Sequence, residues 1–162
     1  MQDIEQIYTK YAVQVYKYLF SLCRDPHTAE ELTQETFFRA MKSIDSFRGE
    51  CRLYVWLCQI AKNLWIKERR RQQRVDREEP GDEIPSKAMQ PDEEVIARDE
   101  RMCLYKSLHQ LPEPVREVMY LRISGDFSFR EIVEILGRDE NWARVTFYRG
   151  KQKIREENRH EM

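Results

Sequence analysis

The segment from Phe47 to Arg71, FRGECRLYVWLCQIAKNLWIKERRR, combines aromatic side chains with a dense run of cations. The residues that carry this chemistry are Tyr54, Trp56, Trp65, Lys67, Arg69, Arg70 and Arg71. Single-stranded nucleic acids bind such surfaces because bases stack on aromatic rings while phosphates pair with cations. The segment is therefore a candidate site for an unpaired strand. Taken alone, however, it favours a core helix with a solvated basic end.

A second candidate site lies near the end of the sequence, around Gly137. Ser128 and Glu131 form a predicted capping box, Gly137 suits a left-handed helix stop, and Asp139 can cap the next helix. A helix, a tight glycine turn and a second helix are typical of DNA readers, although all-helical proteins use the same pattern for packing alone. Side chains suited to base edges in a major groove are Arg138, Asn141, Arg144, Val145, Tyr148 and Arg149.

Helices must position both candidate sites, and apolar residues recur three or four apart through most of the chain. The predicted helices lie at about 4–22, 28–44, 51–73, 92–109, 112–123, 128–136 and 141–157. Thr28 with Glu31 predicts a capping box for the second helix. The predicted buried faces include Tyr8, Tyr11, Val15, Leu19, Phe37, Met41, Leu53, Leu57, Ile60, Leu64, Ala143, Phe147, Gly150 and Ile154. Close helix packing is the simplest account of Gly150, because glycine weakens a helix interior.

Periodicity stops between residues 76 and 91, where Pro80, Gly81, Pro85 and Pro91 interrupt an acidic run. This composition predicts a linker, with a surface loop inside one domain as the alternative. The predicted fold class is therefore all-α, with two small helical domains joined by an acidic linker. The first domain covers residues 1–75 and the second, with the helix-turn-helix, covers residues 92–162.

The net charge of −1 and the pI near 6.3 name no partner, because they result from opposed patches that cancel. The residues from 62 to 74 are strongly basic, whereas those from 76 to 100 are strongly acidic. Cys23, Cys51, Cys58 and Cys103 form no CxxC pair and predict reduced thiols. The sequence has no signal-peptide pattern and no apolar run that could span a bilayer, so we expect a cytoplasmic location.

No arrangement of residues predicts catalysis, a metal site or a cofactor. Glu157 and His160 form one Glu-x-x-His, but a di-iron bundle needs two such motifs and two further carboxylates. His27 and His109 lie in or near turns without paired ligands. The chain is therefore expected not to be an enzyme and to use no cofactor.

Taken in order, these segments resemble an extracytoplasmic-function sigma factor of the bacterial sigma-70 family. AEELTQETFFRA, residues 29–40, resembles the family's polymerase-binding segment, and FRGECRLYVWLCQIAKNLWIKERRR resembles its promoter-melting segment. LPEPVREVMYLRISGDFSFREIVEILG, residues 111–137, resembles the start of sigma domain 4, and the next helix takes the place of the promoter-reading helix. The resemblance covers nearly the whole chain.

The resemblance implies a transcription initiation factor that binds core RNA polymerase and opens promoters at the minus-ten element. It implies docking on the clamp helices of the polymerase largest subunit by Glu31, Gln34, Glu35 and Phe38. It implies minus-ten contacts, to duplex and single-stranded DNA, by Phe47, Arg48, Tyr54, Trp56, Asn63, Lys67 and Arg70. The minus-35 element would be read by the helix-turn-helix residues given above.

The resemblance also implies an anti-sigma partner, and a linker that either enters the polymerase or serves as a solvated tether. Trp142 departs from the family, which often has Thr-Val-Lys after a small residue where this chain has Trp142, Ala143 and Arg144. Thr146 stands where arginine is common. A stand-alone helix-turn-helix regulator, whose first half senses a ligand or dimerises, is the competing interpretation.

Overall fold

A computed structural model describes the backbone of residues 4–78 and 106–160 and the side chains of residues 4–75 and 106–157. The described part of the chain is helical, with no strand, which confirms the predicted all-α class. The chain divides into two units, Met1–Ala88 and Met89–Met162. Residues 79–91 of the predicted linker, most of the helix predicted at 92–109, and Cys103 lie outside the described residues. None of the described helices is long and apolar enough to cross a membrane.

The first unit contains three helices that pack against one another. These are α1 (Ile4–Cys23), α2 (Pro26–Ser43) and α3 (Leu53–Glu78), and a 3-10 turn (Ile44–Ser46) follows α2. Their shared core is formed by side chains with 0% exposure, namely Val15, Tyr18, Leu19, Ala29, Thr36, Ala40, Val55, Leu57, Cys58 and Ala61. The helix predicted to end at Gln73 continues to Glu78, and thus includes the first three residues of the predicted linker.

Some residues predicted to be core lie at the rim of this unit instead. Tyr8 and Met41 are each 47% exposed, and Tyr11, Leu53 and Ile60 are half-buried. The reason is geometric, because an apolar stripe on a helix is wider than the strip that its two neighbours cover. The edge-to-face contact of Tyr8 with Phe37, at 5.0 Å between ring centroids, illustrates this rim position.

The predicted Thr28 capping box is wrong, because Asp25 caps α2. The Asp25 carboxylate accepts hydrogen bonds from the amides of His27 at 3.3 Å and Thr28 at 3.4 Å, and from the Thr28 hydroxyl at 2.6 Å. Pro26 occupies the first helical position, where its missing amide hydrogen leaves no intrahelical bond unmade. The sequence Asp-Pro therefore starts the helix three residues earlier than Thr28 would.

The second unit contains α4 (Val115–Ile123), α5 (Phe129–Leu136) and α6 (Glu140–His160), and residues 106–110 are also helical. Both α4 and α5 pack against α6. The core cluster is formed by Leu108, Leu111, Met119 and Ile154, with Val115 and Phe147 packed against it. Thr146 is also buried, at 7% exposure. A small residue at this position, where arginine is common in the resembled family, therefore belongs to the packed side of α6.

Capping and turn predictions in this unit are confirmed. The Ser128 hydroxyl accepts from the Glu131 amide at 3.1 Å, and the Glu131 carboxylate accepts from the Ser128 amide at 3.0 Å. Gly137 ends α5 with φ of 70°, a left-handed conformation that favours glycine. The Asp139 carboxylate then accepts from the Trp142 amide at 2.8 Å at the start of α6.

Gly150 has the packing role that the sequence predicts. A Cβ atom at this position would lie 2.7 Å from Met119 Sδ and 3.0 Å from Val115 Cγ1. The side chains of Met119 and Val115 on α4 therefore fill the space that a larger residue at position 150 would need. This close packing sets which side of α6 is buried, and consequently which side is left for a ligand.

Candidate nucleic-acid and partner surfaces

An aromatic pair joins α3 to the loop that precedes it. The rings of Phe47 and Trp56 lie with centroids 5.0 Å apart and an interplanar angle of 39°. The Phe47 amide donates to the Ile44 carbonyl at 3.1 Å, which closes the 3-10 turn before the loop, and Gly49 within the loop has a φ of +76°. Both rings are half-buried and Arg48 beside them is exposed. Part of each ring is therefore accessible to a ligand.

Trp56, Asn63, Lys67 and Arg70 follow one side of α3, because spacings of seven, four and three residues return to the same helix face. Asn63, Lys67 and Arg70 are exposed. With the loop residues, they form one continuous surface that we call the aromatic–basic stripe, made of Phe47, Arg48, Trp56, Asn63, Lys67 and Arg70. The structure thus brings together six of the seven residues predicted to contact minus-ten DNA.

Tyr54 is the member that the structure does not bring to this stripe. It precedes Trp56 by two residues, which places it about 200° away around the helix. Its ring stacks on Tyr11 of α1, with centroids 5.5 Å apart and an interplanar angle of 23°. Trp65, the third aromatic side chain of this segment, is buried in the core at 8% exposure, as the core-helix interpretation of the segment predicts.

The cations at the end of the stripe differ in their partners. Arg71 donates two hydrogen bonds to Glu68, from Nη2 at 2.8 Å and from Nε at 3.1 Å. This pairing with Arg71 is the main reason why the pKa of Glu68 lies below its ordinary value, and it raises the pKa of Arg71. Lys67 and Arg70 form no ion pair with another described residue. They are therefore better placed than Arg71 to bind phosphate.

The four residues predicted to dock on polymerase line one shallow depression on α2. These residues are Glu31, Gln34, Glu35 and Phe38. Both carboxylates in it have a basic partner on their own helix, because His27 Nε2 lies 3.0 Å from Glu31 and Arg39 Nε lies 3.1 Å from Glu35. Such exposed pairs contribute little to stability. A basic helical partner could displace them at small cost.

An apolar rim continues this depression between α1 and α2. Phe38 is 45% exposed, and it lines a neighbouring hollow with Tyr8, Phe37 and Met41. The Lys42 ammonium lies 4.3 Å from the centroid of the Phe38 ring. Periodicity alone assigned Tyr8 and Met41 to the core, so their exposure was found only by the structure. The four predicted docking residues therefore border more apolar surface than expected.

In the second unit, α6 presents one exposed side to a ligand. Asn141, Arg144, Val145, Tyr148 and Arg149 are all exposed, whereas Ala143, Thr146, Gly150 and Ile154 are buried on the opposite side. Val145 is 42% exposed and Tyr148 61% exposed, so both side chains are available for contact with a ligand. Together with exposed Arg138 they form the reading surface, and all six residues predicted for minus-35 contacts belong to it.

Trp142, which departs from the resembled family, takes part in a local contact at the start of α6. The Arg138 guanidinium carbon lies 5.0 Å from the centroid of the Trp142 ring, close enough for a cation–π interaction. The indole is half-buried, while Arg138 is exposed. The indole therefore contacts an arginine of the reading surface. It does so at a position where the resembled family often has the smaller threonine.

Phe129, the first residue of α5, makes contacts that the sequence analysis did not predict. Its ring lies near arginines of two other helices, with the Arg122 guanidinium carbon 4.5 Å and that of Arg144 5.7 Å from the ring centroid. No sequence pattern signals this contact, because the three residues come from three helices.

Within the described ranges, no group of three or more His, Cys, Asp or Glu side chains could hold a metal ion.

Comparison with known proteins identifies both units. Residues 7–75 match the Sigma-70 region 2 family, and residues 101–154 match the family described as Sigma-70, region 4. The ECF RNA polymerase sigma factor SigE of Mycolicibacterium smegmatis is 31% identical over 161 residues, which cover 96% of this chain and 62% of that protein. SigX of Bacillus subtilis is 26% identical over 160 residues, which cover 95% and 82% of the two chains.

Solved structures show the same fold. The sigma factor RpoE of Bartonella quintana, in complex with the anti-sigma factor NepR, has a TM-score of 0.81 at 24% identity, covering 96% of each chain. CnrH, in complex with the cytosolic domain of CnrY, has a TM-score of 0.66 at 18% identity, covering 98% of this chain and 89% of that one.

The two matched regions, in this order, define a transcription initiation factor of the sigma class. The chain belongs to the sigma-70 family and is an extracytoplasmic-function sigma factor. This assignment confirms the resemblance noted in the sequence, and it does not favour a stand-alone regulator. The family consists of transcription factors that are not enzymes.

Proposed function

We propose that the two units divide promoter recognition between them. Residues 1–75 bind core RNA polymerase and hold the melted minus-ten element, residues 92–162 read the minus-35 element, and the acidic segment 76–91 links them. The observation that carries this proposal is the reading surface of α6, where all six predicted DNA contacts are exposed and the packing residues face the other way.

At the minus-35 element, α6 enters the major groove with its exposed side. Arginine can bond guanine through two hydrogen bonds, asparagine can bond adenine, and valine can contact a thymine methyl. Arg144 and Arg149 are therefore the candidates for guanine, Asn141 for adenine, and Val145 for thymine. Lys151 and Lys153, which are exposed further along α6, supply phosphate contacts that add affinity without sequence information.

At the minus-ten element, the aromatic–basic stripe traps the separated strand. Extruding a base costs a few kcal/mol, and stacking on an aromatic ring returns about 1–3 kcal/mol per base. Trp56 and Phe47 offer the accessible rings, and Asn63 lies one to two turns away for a base edge. Lys67 and Arg70 hold phosphates beyond it. Tyr54 has no part in this proposal because its ring stacks on Tyr11.

Core polymerase docks on α2 through Glu31, Gln34, Glu35 and Phe38. The carboxylates complement a basic helical partner such as the clamp helices of the polymerase largest subunit, and Phe38 supplies buried apolar area. An anti-sigma factor that covers this surface would compete with polymerase, and structures with similar folds hold sigma factors in complex with such proteins. The chain acts in the cytoplasm, with no enzymatic activity, no cofactor and no membrane contact of its own.

Co-elution with bacterial core RNA polymerase, followed by transcription from a library of random promoters, tests the proposal. We expect a stable complex and selective initiation. A charge-reversal variant, Glu35→Lys, should abolish co-elution while leaving the melting temperature of the free protein unchanged. Asp45→Lys, which reverses an exposed acid in the 3-10 turn after α2, is the matched control and should co-elute normally.

Two results would count against the proposal. Binding of the free chain to duplex DNA with a steep dependence on salt, without any association with polymerase, would favour a stand-alone regulator. Co-elution of Glu35→Lys with unchanged affinity would remove the α2 surface from the docking site, even if the chain acts as a sigma factor.

A further inference from the structure

We propose that Phe129 is a positioning residue that determines minus-35 specificity by holding Arg144 in its reading orientation. This inference rests on the proposed function, because it requires Arg144 to contact a base. Phe129 is the first residue of α5, and Arg144 lies on α6. The Arg144 guanidinium carbon lies 5.7 Å from the centroid of the Phe129 ring, within the range of a cation–π contact.

A ring can orient an arginine only if the ring itself is held. Phe129 meets this requirement because Phe147 of α6 packs edge-to-face against it, with ring centroids 5.6 Å apart and an interplanar angle of 68°. The Arg122 guanidinium lies over the same ring at 4.5 Å. Arg122 is held in turn, since its Nη1 donates to the Phe127 carbonyl at 2.9 Å. The Phe129 ring of α5 thus contacts both α4 and α6.

The other neighbour of Arg144 is a weaker guide. Glu140 Oε2 lies 3.6 Å from Arg144 Nη2, and the two side chains are 43% and 60% exposed. A solvent-exposed pair at this distance has little directional preference and is screened by salt. The aromatic face therefore accounts better for a defined orientation. Because Arg144 remains largely exposed, its donors are still available to a base.

Arg122 adds a second consequence to this arrangement. Two guanidinium groups lie within 6 Å of the centroid of one ring, so their charges concentrate around Phe129. The negative face of the aromatic ring offsets part of their mutual repulsion. Reducing the electron density of the ring should therefore weaken the hold on Arg144 without creating a cavity.

Fluorinated phenylalanine tests this directly, because fluorine withdraws electron density from the ring face while nearly preserving its size. Wild-type protein and chains with mono-, di- and trifluorophenylalanine at position 129 would be assembled with core polymerase. Each holoenzyme would transcribe a library with a randomised minus-35 element. At the base position that Arg144→Ala relaxes, we expect preference to fall stepwise with fluorination, by roughly two- to five-fold in total, as an exposed cation–π contact predicts.

Three comparisons separate positioning from folding. Phe129→Tyr retains a ring and should preserve the base preference, whereas Phe129→Leu should lose it. In an Arg144→Ala background, fluorination should have no further effect. Base positions that respond to Arg149→Ala serve as the internal control, because Arg149 does not contact the Phe129 ring, and their preferences should not change.

The inference is overturned if base preference at the Arg144 position is independent of fluorination, or if every position weakens equally. With selective initiation by the wild-type holoenzyme, either result rejects the role of Phe129 alone. If the wild-type holoenzyme shows no selective initiation, the proposed function itself fails, and this inference fails with it.

Discussion

The ring of Phe47 contacts the ring of Trp56 at 5.0 Å between centroids, which fixes the loop before α3 against the helix. Another tryptophan, Trp65, lies nine residues further along the same helix and is buried in the core. The two indoles therefore lie on the same helix, but Trp56 is only half-buried whereas Trp65 is buried. This contrast allows a binding role to be separated from a packing role.

Replacing Trp56 by alanine should weaken promoter opening while co-elution with core polymerase persists. The half-buried indole offers a stacking surface whose removal costs about 1–3 kcal/mol per base. Permanganate reactivity of unpaired thymines measures the opening. Trp65→Ala should instead destabilise the free protein by about 3–5 kcal/mol, because it empties a core site. Similar unfolding of both variants would show that Trp56 is also a packing residue.

Arg70 and Arg71 should differ in their effect on DNA binding, although they are adjacent in sequence. Arg70→Ala should remove about one phosphate contact. The plot of log affinity against log salt should then become shallower, with the magnitude of its negative slope reduced by about 0.7–0.9. Arg71→Ala should change the slope less, since the Arg71 guanidinium is already paired with Glu68. Holoenzyme affinity for a minus-ten duplex, measured from 50 to 200 mM salt, tests this. Equal slopes for both variants would contradict it.

Asp25 should stabilise the fold in a manner that depends on pH. Its pKa lies below the ordinary value, chiefly because the Thr28 hydroxyl donates to the carboxylate. Such a group stabilises the folded state above its unfolded pKa of about 3.9, and this contribution is lost as pH falls through the lower folded pKa. Asp25→Ala should therefore lower the free energy of unfolding by about 0.5–2 kcal/mol at pH 7.

Urea unfolding of the Asp25 variant at pH 7 and at about pH 2 gives the measurement, since the difference from wild type should shrink as pH falls through the folded pKa. Asp45→Ala, which removes an exposed carboxylate from the same unit, is the matched control and should have a smaller effect. A loss that is equal at both pH values would mean that the cap acts without its charge.

Gly150→Ala should destabilise the second unit because the new methyl group would lie 2.7 Å from Met119 Sδ. Overpacking costs about 1–3 kcal/mol, and the better helix propensity of alanine offsets about 1 kcal/mol. In a Met119→Ala background, which opens space, the same substitution should become stabilising. Thermal unfolding of the four chains measures this reversal, and its absence would refute close packing as the reason for Gly150.

The helix ends of the second unit could be predicted from the sequence, because the interactions that form them join residues close together in the chain. The Ser128 capping box, the left-handed Gly137 and the Asp139 cap each involve residues within three positions of one another, and all three predictions are confirmed. The start of α2 shows how the same reasoning fails. Asp25 and Thr28 are both good caps, and the choice between them depends on Pro26, which begins a helix readily.

Burial at the edges of the units could not be predicted from periodicity. Tyr8 and Met41 share the spacing of core residues, yet nearly half of each side chain is exposed. The number of apolar positions that a neighbouring helix covers depends on how the helices pack, and this is a tertiary property. The apolar rim beside the Glu31 and Phe38 depression is therefore visible only in the structure.

The amino-acid sequence by itself determined the helical class, the family, and the side of α6 that carries Arg144, because periodicity and motif order are properties of the chain alone. Tertiary structure alone decided which side chains orient one another. It stacked Tyr54 on Tyr11, placed Phe47 against Trp56, and put the Phe129 ring beside Arg144. These contacts join separate elements, so their geometry depends on helix packing and loop conformation, which no local spacing specifies.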